Sequence, residues 1–398
     1  MTEELAERFG TPLLVIDLHA LDRALDAIIA AAAPHGIAIS YAGKALLLVP
    51  LARHLHPRPI GIDVCSLGEL LVAERGGFEA SRLTLHGAGK KPEELDAALD
   101  GRVGRIIVDG IDELRALADR ANGRRADLLL RFNTGIEAHT HDFVRTAGNR
   151  SKFGFAPNEE AAAFALLRAH PELTLRGVHG HVGSQIYESL PYVENAQRLL
   201  AILARAREAR FETANTIVVG GGFGVQMDPN ARDQEIDIAG TLDAIARIVP
   251  NGVRVEIEPG RAVVAAAGTS VYRVMAIKRF EGRRFVIVDG SMADNPRPAL
   301  YGAYHHVTAL RASEAPLSAA TLCGRSCESD ELAETLLPDD LHAGDLVAMH
   351  TTGAYTYSMS SNYNHFPRPP VVAIGEGEPR LWAARGAEQL SSVGTGAH

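Results

Sequence analysis

Residues 105–133 read RIIVDGIDELRALADRANGRRADLLLRFN. A short β-branched run, RIIV, meets the turn pair Asp109-Gly110. A helical stretch, IDELRALADRA, then stops at Asn122-Gly123, and a second apolar run, ADLLLR, follows. A strand, a helix and a strand in that order make a crossover unit, which lays two strands side by side in parallel.

The same alternation extends in both directions. Upstream, LLVID (13–17) reads as a strand and LDRALDAIIAAAAPHG as a helix ended by Pro34 and Gly36. IAISYAGKA (37–45) is a strand running into a loop, with a helix expected over 46–55. GIDVCS (61–66) precedes helical LGELLVAERGG, and RLTLHG precedes helical PEELDAALDG. Downstream come helical NEEAAAFALLRAH, strand LTLRGVHGHVG, helical PYVENAQRLLAILARAREARF, TIVVGGG, a helix over 241–248, and VRVEIEPGR. About eight such units before residue 265 favour a closed (β/α)8 barrel of the TIM type over an open sheet. After residue 265 the period shortens towards two in TSVYRVMAIKRF, RRFVIVDG, DLVAMHTTGAY and PPVVAIGE. That texture predicts a mainly antiparallel β domain of sandwich or barrel type, to which the N-terminal strand LLVID returns. The expected division is an α/β barrel over 20–264, a β domain from 1–19 and 265–385, and a flexible tail over 386–398.

The totals agree with a two-domain globular protein: 398 residues, 46% hydrophobic and 22% charged. A formal charge of −9 without a basic cluster argues against a nucleic-acid partner. No apolar run approaches the ~20 residues that span a bilayer, so no membrane partner is expected. The start, MTEELAERFGTPLLVIDL, lacks the pattern of a signal peptide. Cys65, Cys323 and Cys327 form neither a disulfide framework nor a zinc motif, which suits a reducing, cytoplasmic location.

In such a barrel the site lies at the C-terminal strand ends. Polar residues gather there repeatedly: Lys44, Asp63, Ser66, His86, Arg131, Asn133, His179, His181, Gly220–Gly222, Glu258 and Arg261. Lys44, between a strand and an apolar helix, can be desolvated and so become an amine able to form an imine; alone it reads first as a surface lysine at a helix start. The run VVGGGFG can cup a phosphate with backbone N–H groups, or simply turn. Its spacing is not the dinucleotide fingerprint. Glu258 could pair with a protonated ring nitrogen, and Arg261 with a carboxylate; a local ion pair explains both as well. Cys327 beside Glu328 suits a proton donor or a half-buried structural thiol, and Tyr355 a loop or core-edge tyrosine.

The pair His179 and His181 in VHGHVGSQ suggests a metal site or an imidazole stacked on a flat cofactor. Zinc needs a third ligand, and His86, His139 and His141 offer no recognised spacing. An imine lysine, a phosphate cup, a carboxylate for a pyridinium nitrogen and a stacking histidine together favour pyridoxal phosphate, with no metal.

At this point the chain resembles the fold-type III pyridoxal-phosphate decarboxylases, specifically the diaminopimelate decarboxylase family. The likeness runs from residue 11 to about 372. It is carried by YAGKA, DVCSLGEL, RFNTGIEAHTHDFVRTAGNRSKFGF, GVHGHVGSQI, GGGFG, EIEPGR, DNPRPALYGAYH, CES and TGAYTYSMSSNYN, in the family's order. The resemblance implies that Lys44 carries pyridoxal 5'-phosphate, His181 stacks on its ring and Glu258 holds its nitrogen protonated. Ser184, Gly220, Gly221, Gly222, Gly260 and Arg261 would bind the phosphate, with Asp63, Arg131 and Tyr355 also lining the cofactor. Arg261, Arg297, Tyr301, Tyr355 and Glu328 would bind substrate. Cys327 would donate a proton, and Cys327 and Glu328 would come from the other subunit of a homodimer. The implied reaction is decarboxylation of meso-diaminopimelate to L-lysine. HGAGKK (86–91), KAL (44–46) and the short segment after Cys327-Glu328 depart from the family pattern, leaving open a decarboxylase of another diamino acid or of a specialised-pathway intermediate. An amino-acid racemase and a non-catalytic relative are the remaining alternatives.

Overall fold

The computed structural model describes residues 2–136, 151–231 and 236–386. They form two compact units, each taken over its described residues: Met1–Ala24, Val225–Gln234 and Val263–His398, and Leu25–Gly224 with Glu235–Ala262.

The chain opens with a helix absent from the sequence reading, α1 (Thr2–Phe9), then β1 (Leu13–Asp17) and α2 (Leu18–Ala32). Pro34 sits in the first turn of a short 3-10 helix, and Gly36 ends it at φ 60°. Eight parallel strands follow: β2 (Ala38–Ala42), β3 (Gly61–Val64), β4 (Leu83–Leu85), β5 (Arg105–Val108), β6 (Ala126–Arg131), β7 (Leu173–His179), β8 (Thr216–Val218) and β9 (Arg254–Ile257). They close into a barrel through pairing of β2 with β9. Among the described residues, seven α-helices connect them: α3 (Val49–Leu55), α4 (Leu67–Arg75), α5 (Pro92–Leu99), α6 (Ile111–Ala121), α7 (Glu160–Ala169), α8 (Leu190–Glu208) and α9 (Ile238–Ile248).

The α/β barrel expected from the alternation is therefore present. The connection after β2 departs from expectation: α3 begins at Val49, not Leu46. Pro50 belongs to a helix's first turn, where its missing N–H costs nothing, and Leu46 stays extended at φ −165°. Just before this extended stretch, Gly43–Ala45 form a single 3-10 turn that presents Lys44 at the strand end.

Inside the barrel, Ile107 of β5, Leu129 of β6 and Val218 of β8 pack together. β5 and β8 are not neighbours, so these side chains meet across the interior and fill it.

The other unit holds a nine-stranded sheet. β1 is an interior strand, antiparallel to β10 (Gly268–Phe280) and parallel to β16 (Val371–Ile374). β11 (Arg283–Val288), β13 (Leu317–Cys323) and β14 (Glu331–Pro338) extend one side, and β17 (Arg380–Ala383) the other. β12 (Val307–Ala309) and β15 (Leu346–His350) attach through β10. Among the described residues, six of its eight strand pairings are antiparallel; β1–β16 and β11–β13 are parallel, making the sheet mixed. The short helices α10 (Arg261–Val264) and α11 (Arg297–Tyr301) complete the elements.

Leu129→Ala empties part of the barrel interior and should cost about 2–5 kcal/mol. A lower urea midpoint by far-ultraviolet circular dichroism is the expected result; an unchanged midpoint contradicts this packing.

Candidate active site

The polar residues named from the strand ends converge within the barrel unit. Glu258 follows β9 and occupies the centre. Its Oε2 lies 3.0 Å from Nε2 of His179, the last residue of β7. Its Oε1 lies 3.0 Å from Nε2 of His86, just after β4, as an ion pair off the line of a hydrogen bond. His86 also faces Asp63 Oδ1 at 3.6 Å, and Ser40 Oγ donates to that oxygen at 2.6 Å. The two imidazoles meet edge to face, 5.3 Å between centroids.

Burial by itself would raise the Glu258 pKa, but His179 and His86 outweigh it and hold the carboxyl well below its usual value. Burial likewise lowers the pKa of His86, yet Glu258 and Asp63 together lift it to about 9. His179 is pushed down by burial, against the pull of Glu258. At neutral pH the centre is therefore an ionised Glu258 with a protonated His86 beside it.

His181 is engaged separately: its Nδ1 accepts the Gly221 N–H at 3.3 Å. Desolvation, with the Lys44 and Arg131 charges nearby, holds His181 well below its usual pKa, as neutral imidazole. The histidine pair thus divides, one member on Glu258 and the other on the glycine run. His86, His179 and Glu258 do bring ligand-type atoms within 4.8 Å of one another, but the two Nε2 atoms already face carboxylate oxygens. His139 and His141, the other metal candidates, lie outside the described residues.

Close backbone approach explains the glycines. A Cβ at Gly220 would lie 2.6 Å from His181 Nδ1, and one at Gly221 or Gly222 would collide with the carbonyl of Glu258 or Gly183. Gly220 and Gly222 also adopt φ 78° and 93°, where L side chains are disfavoured. The Gly221 amide, expected in a phosphate cup, donates to His181 here. Ser184 Oγ accepts from Arg261 at 3.2 Å. A Cβ on Gly260 would press to 3.1 Å on Ala42, so the Glu258–Arg261 turn packs on the turn bearing Lys44. The desolvation expected of Lys44 is not observed: its side chain is exposed between buried Gly43 and Ala45. Arg131 ends β6, 3.6 Å from Asp109, with its guanidinium 4.4 Å above the Phe153 ring.

In the β unit, Arg297 lies over the rings of Tyr301 (5.2 Å) and Tyr355 (5.4 Å). Tyr355 holds φ 59°, a left-handed backbone that non-glycine residues rarely adopt. Glu328 Oε1 accepts from Tyr363 at 2.5 Å, and the Cys327 amide donates to Asn364 at 3.2 Å. The Cys327 thiol is exposed.

Residues 20–265 match the family model described as the pyridoxal binding domain of pyridoxal-dependent decarboxylases. The chain belongs to the pyridoxal-dependent decarboxylases. It is 42% identical to a diaminopimelate decarboxylase of Actinosynnema pretiosum subsp. auranticum, over 97% of this chain and 89% of that one. It is 37% identical to the Bacillus subtilis (strain 168) diaminopimelate decarboxylase, over 96% and 90%. The crystal structure of Helicobacter pylori diaminopimelate decarboxylase complexed with L-lysine superposes with TM-score 0.91 at 29% identity, covering 99% of this chain and 100% of that one.

The barrel residues of this decarboxylase fit pyridoxal phosphate. Asp63 Oδ2, Asp109 Oδ1, His179 Nδ1 and Glu258 Oε1 are buried without a hydrogen-bond partner among the described residues, as in a site shaped for a polar guest. The sequence pointed to Glu258 but left His86 and His179 without a role. Their shared strand-end position was the available signal; which carboxylate they face required the barrel's closure.

Because the folded His86 pKa is raised from 6.5 to about 9, its stabilising contribution is complete below pH 6.5 and is lost as pH rises through 9. The thermal midpoint of cofactor-free protein should fall across that window, and the fall should flatten in His86→Asn. Parallel profiles for the two proteins would contradict the assignment.

Proposed function

We propose that this decarboxylase converts meso-diaminopimelate to L-lysine and carbon dioxide. Its reading rests first on one convergence: Lys44, an ionised Glu258 and a glycine run that admits no side chains, all at the C-terminal end of one barrel. The diaminopimelate decarboxylases similar to it along nearly the whole chain support the substrate.

Bound pyridoxal phosphate supplies an electron sink for the pair left behind when carbon dioxide departs. Lys44 would tether it and release it to the substrate amine. Glu258, kept ionised by His86 and His179, would hold the ring nitrogen in its protonated form. His181, held neutral, would contact the ring without competing for its charge. On the family resemblance, Ser184, Gly220–Gly222, Gly260 and Arg261 would hold the phosphate, and Asp63, Arg131 and Tyr355 would also contact the cofactor.

Two arginines, Arg261 and Arg297, suit a substrate with two carboxylates better than one with a single carboxylate. Tyr301 and Tyr355 flank Arg297, and Glu328 receives the distal ammonium. Breaking of the bond to the departing carboxylate leaves carbon to be protonated, by the Cys327 thiol or the Lys44 ammonium. Cys327 and Glu328 are assigned to a partner subunit of a homodimer, on the strength of the family resemblance. No helix among the described residues is long and apolar enough to cross a membrane. A cytoplasmic location completes the proposal.

Carbon dioxide release from a panel of meso-diaminopimelate, lysine, ornithine and arginine tests the reading. Turnover of meso-diaminopimelate with L-lysine as product is expected, and Lys44→Ala should abolish both it and the visible cofactor band. Preference for another diamino acid overturns the substrate; full turnover by Lys44→Ala overturns the tether.

A further inference from the structure

Asn195 supplies an amide to the buried face of α8. Tyr192, Ala196, Leu199, Leu203 and Ala206 form an apolar stripe, and Asn195 sits among them at 0% exposure. An amide there is costly unless its hydrogen-bonding groups are met. They are. Asn195 Nδ2 donates to the carbonyls of Gly180 and Val219, both at 3.2 Å. Asn195 Oδ1 accepts from Thr134 Oγ1 at 2.9 Å.

Those three partners belong to three loops. Thr134 follows β6, which ends at Arg131. Gly180 separates His179 from His181. Val219 precedes Gly220 of the glycine run. A single side chain thus ties together the segments that carry Arg131, both histidines and Gly220–Gly222. Fit reinforces the bonds: a Cβ on Gly180 would come within 2.7 Å of Asn195 Oδ1 and 3.2 Å of Leu199. One turn earlier, Tyr192 stacks on Phe223 of the glycine segment, 4.8 Å between centroids and 7° between planes. One turn later, Arg198 donates to the Thr134 carbonyl. Positions three apart share a helix face, so Tyr192, Asn195 and Arg198 act on the same loops.

We propose that Asn195 is a positioning residue for pyridoxal phosphate, setting the spacing between the His181 imidazole and the Gly220–Gly222 run through its bonds to Gly180 and Val219. The inference rests on the cofactor-site reading given above. Asn195 touches no reacting atom; it fixes the distance between the group placed on the ring face and the groups placed on the phosphate.

The test is the dissociation constant of pyridoxal phosphate for unloaded full-length protein, with the visible circular dichroism of the bound cofactor as a second readout. Asn195→Ala strands two buried carbonyls and should weaken binding roughly tenfold or more, with a changed visible dichroic band. Thr134→Val removes only the bond to Oδ1, keeps the shape, and should weaken binding a few-fold in the same direction. Leu129→Ala serves as a control that lowers stability and leaves the dissociation constant unchanged. Binding within twofold of wild type in both site variants overturns the proposal, as does a loss matched by the Leu129→Ala control. Should Asn195→Ala fail to fold, Thr134→Val decides alone. Wild-type protein that takes up no pyridoxal phosphate overturns the cofactor-site reading and this inference with it, an outcome distinct from tight binding by all variants.

Discussion

A carboxylate buried at the mouth of the barrel stays charged because two imidazoles face it. Desolvation favours a neutral Glu258; His179 and His86, each 3.0 Å from one of its oxygens, reverse that preference. The remaining features of the site serve this arrangement. His86 is itself held in its charged form by Glu258 and Asp63, and Asp63 is fixed by Ser40. The chain thereby maintains an ionised carboxylate in a buried setting.

The backbone keeps these groups in register. Five strands contribute, β2, β3, β4, β7 and β9, and parallel closure of the barrel brings them together. The turns between them approach more closely than side chains permit, which is why Gly220, Gly221, Gly222 and Gly260 stand where they do. Beneath the charged centre, Arg105 pairs with Glu256 and donates to Thr84 at 3.0 Å, so the polar interior continues below the site with its charges matched. α8 supports the loops from outside through Tyr192 and Asn195.

Much of this was legible from residues alone, for physical reasons. Strands rich in β-branched residues, alternating with helices stopped by glycine, allow few architectures, and polar residues at strand ends mark the functional face. LLVID returned to the β sheet as expected, between β10 and β16. Other features depend on contacts distant in sequence. Nothing local to His86 shows that it will face Glu258, 172 positions on by number (258 − 86). Asn195 lies in a helix whose pattern reads as ordinary packing; only the loops that converge on it reveal its role. The delayed start of α3 is the opposite case, since Pro50 stated it in the sequence and the apolar run from Leu46 to Leu48 concealed it.

The most direct test of an ionised Glu258 as the centre of the site is the rate of carbon dioxide release by Glu258→Gln loaded with pyridoxal phosphate. The amide preserves shape and removes the charge. The account predicts that cofactor is retained while the rate falls by roughly 100-fold or more. A rate equal to wild type would show that the ring nitrogen's protonation is set by another group, and would contradict the account.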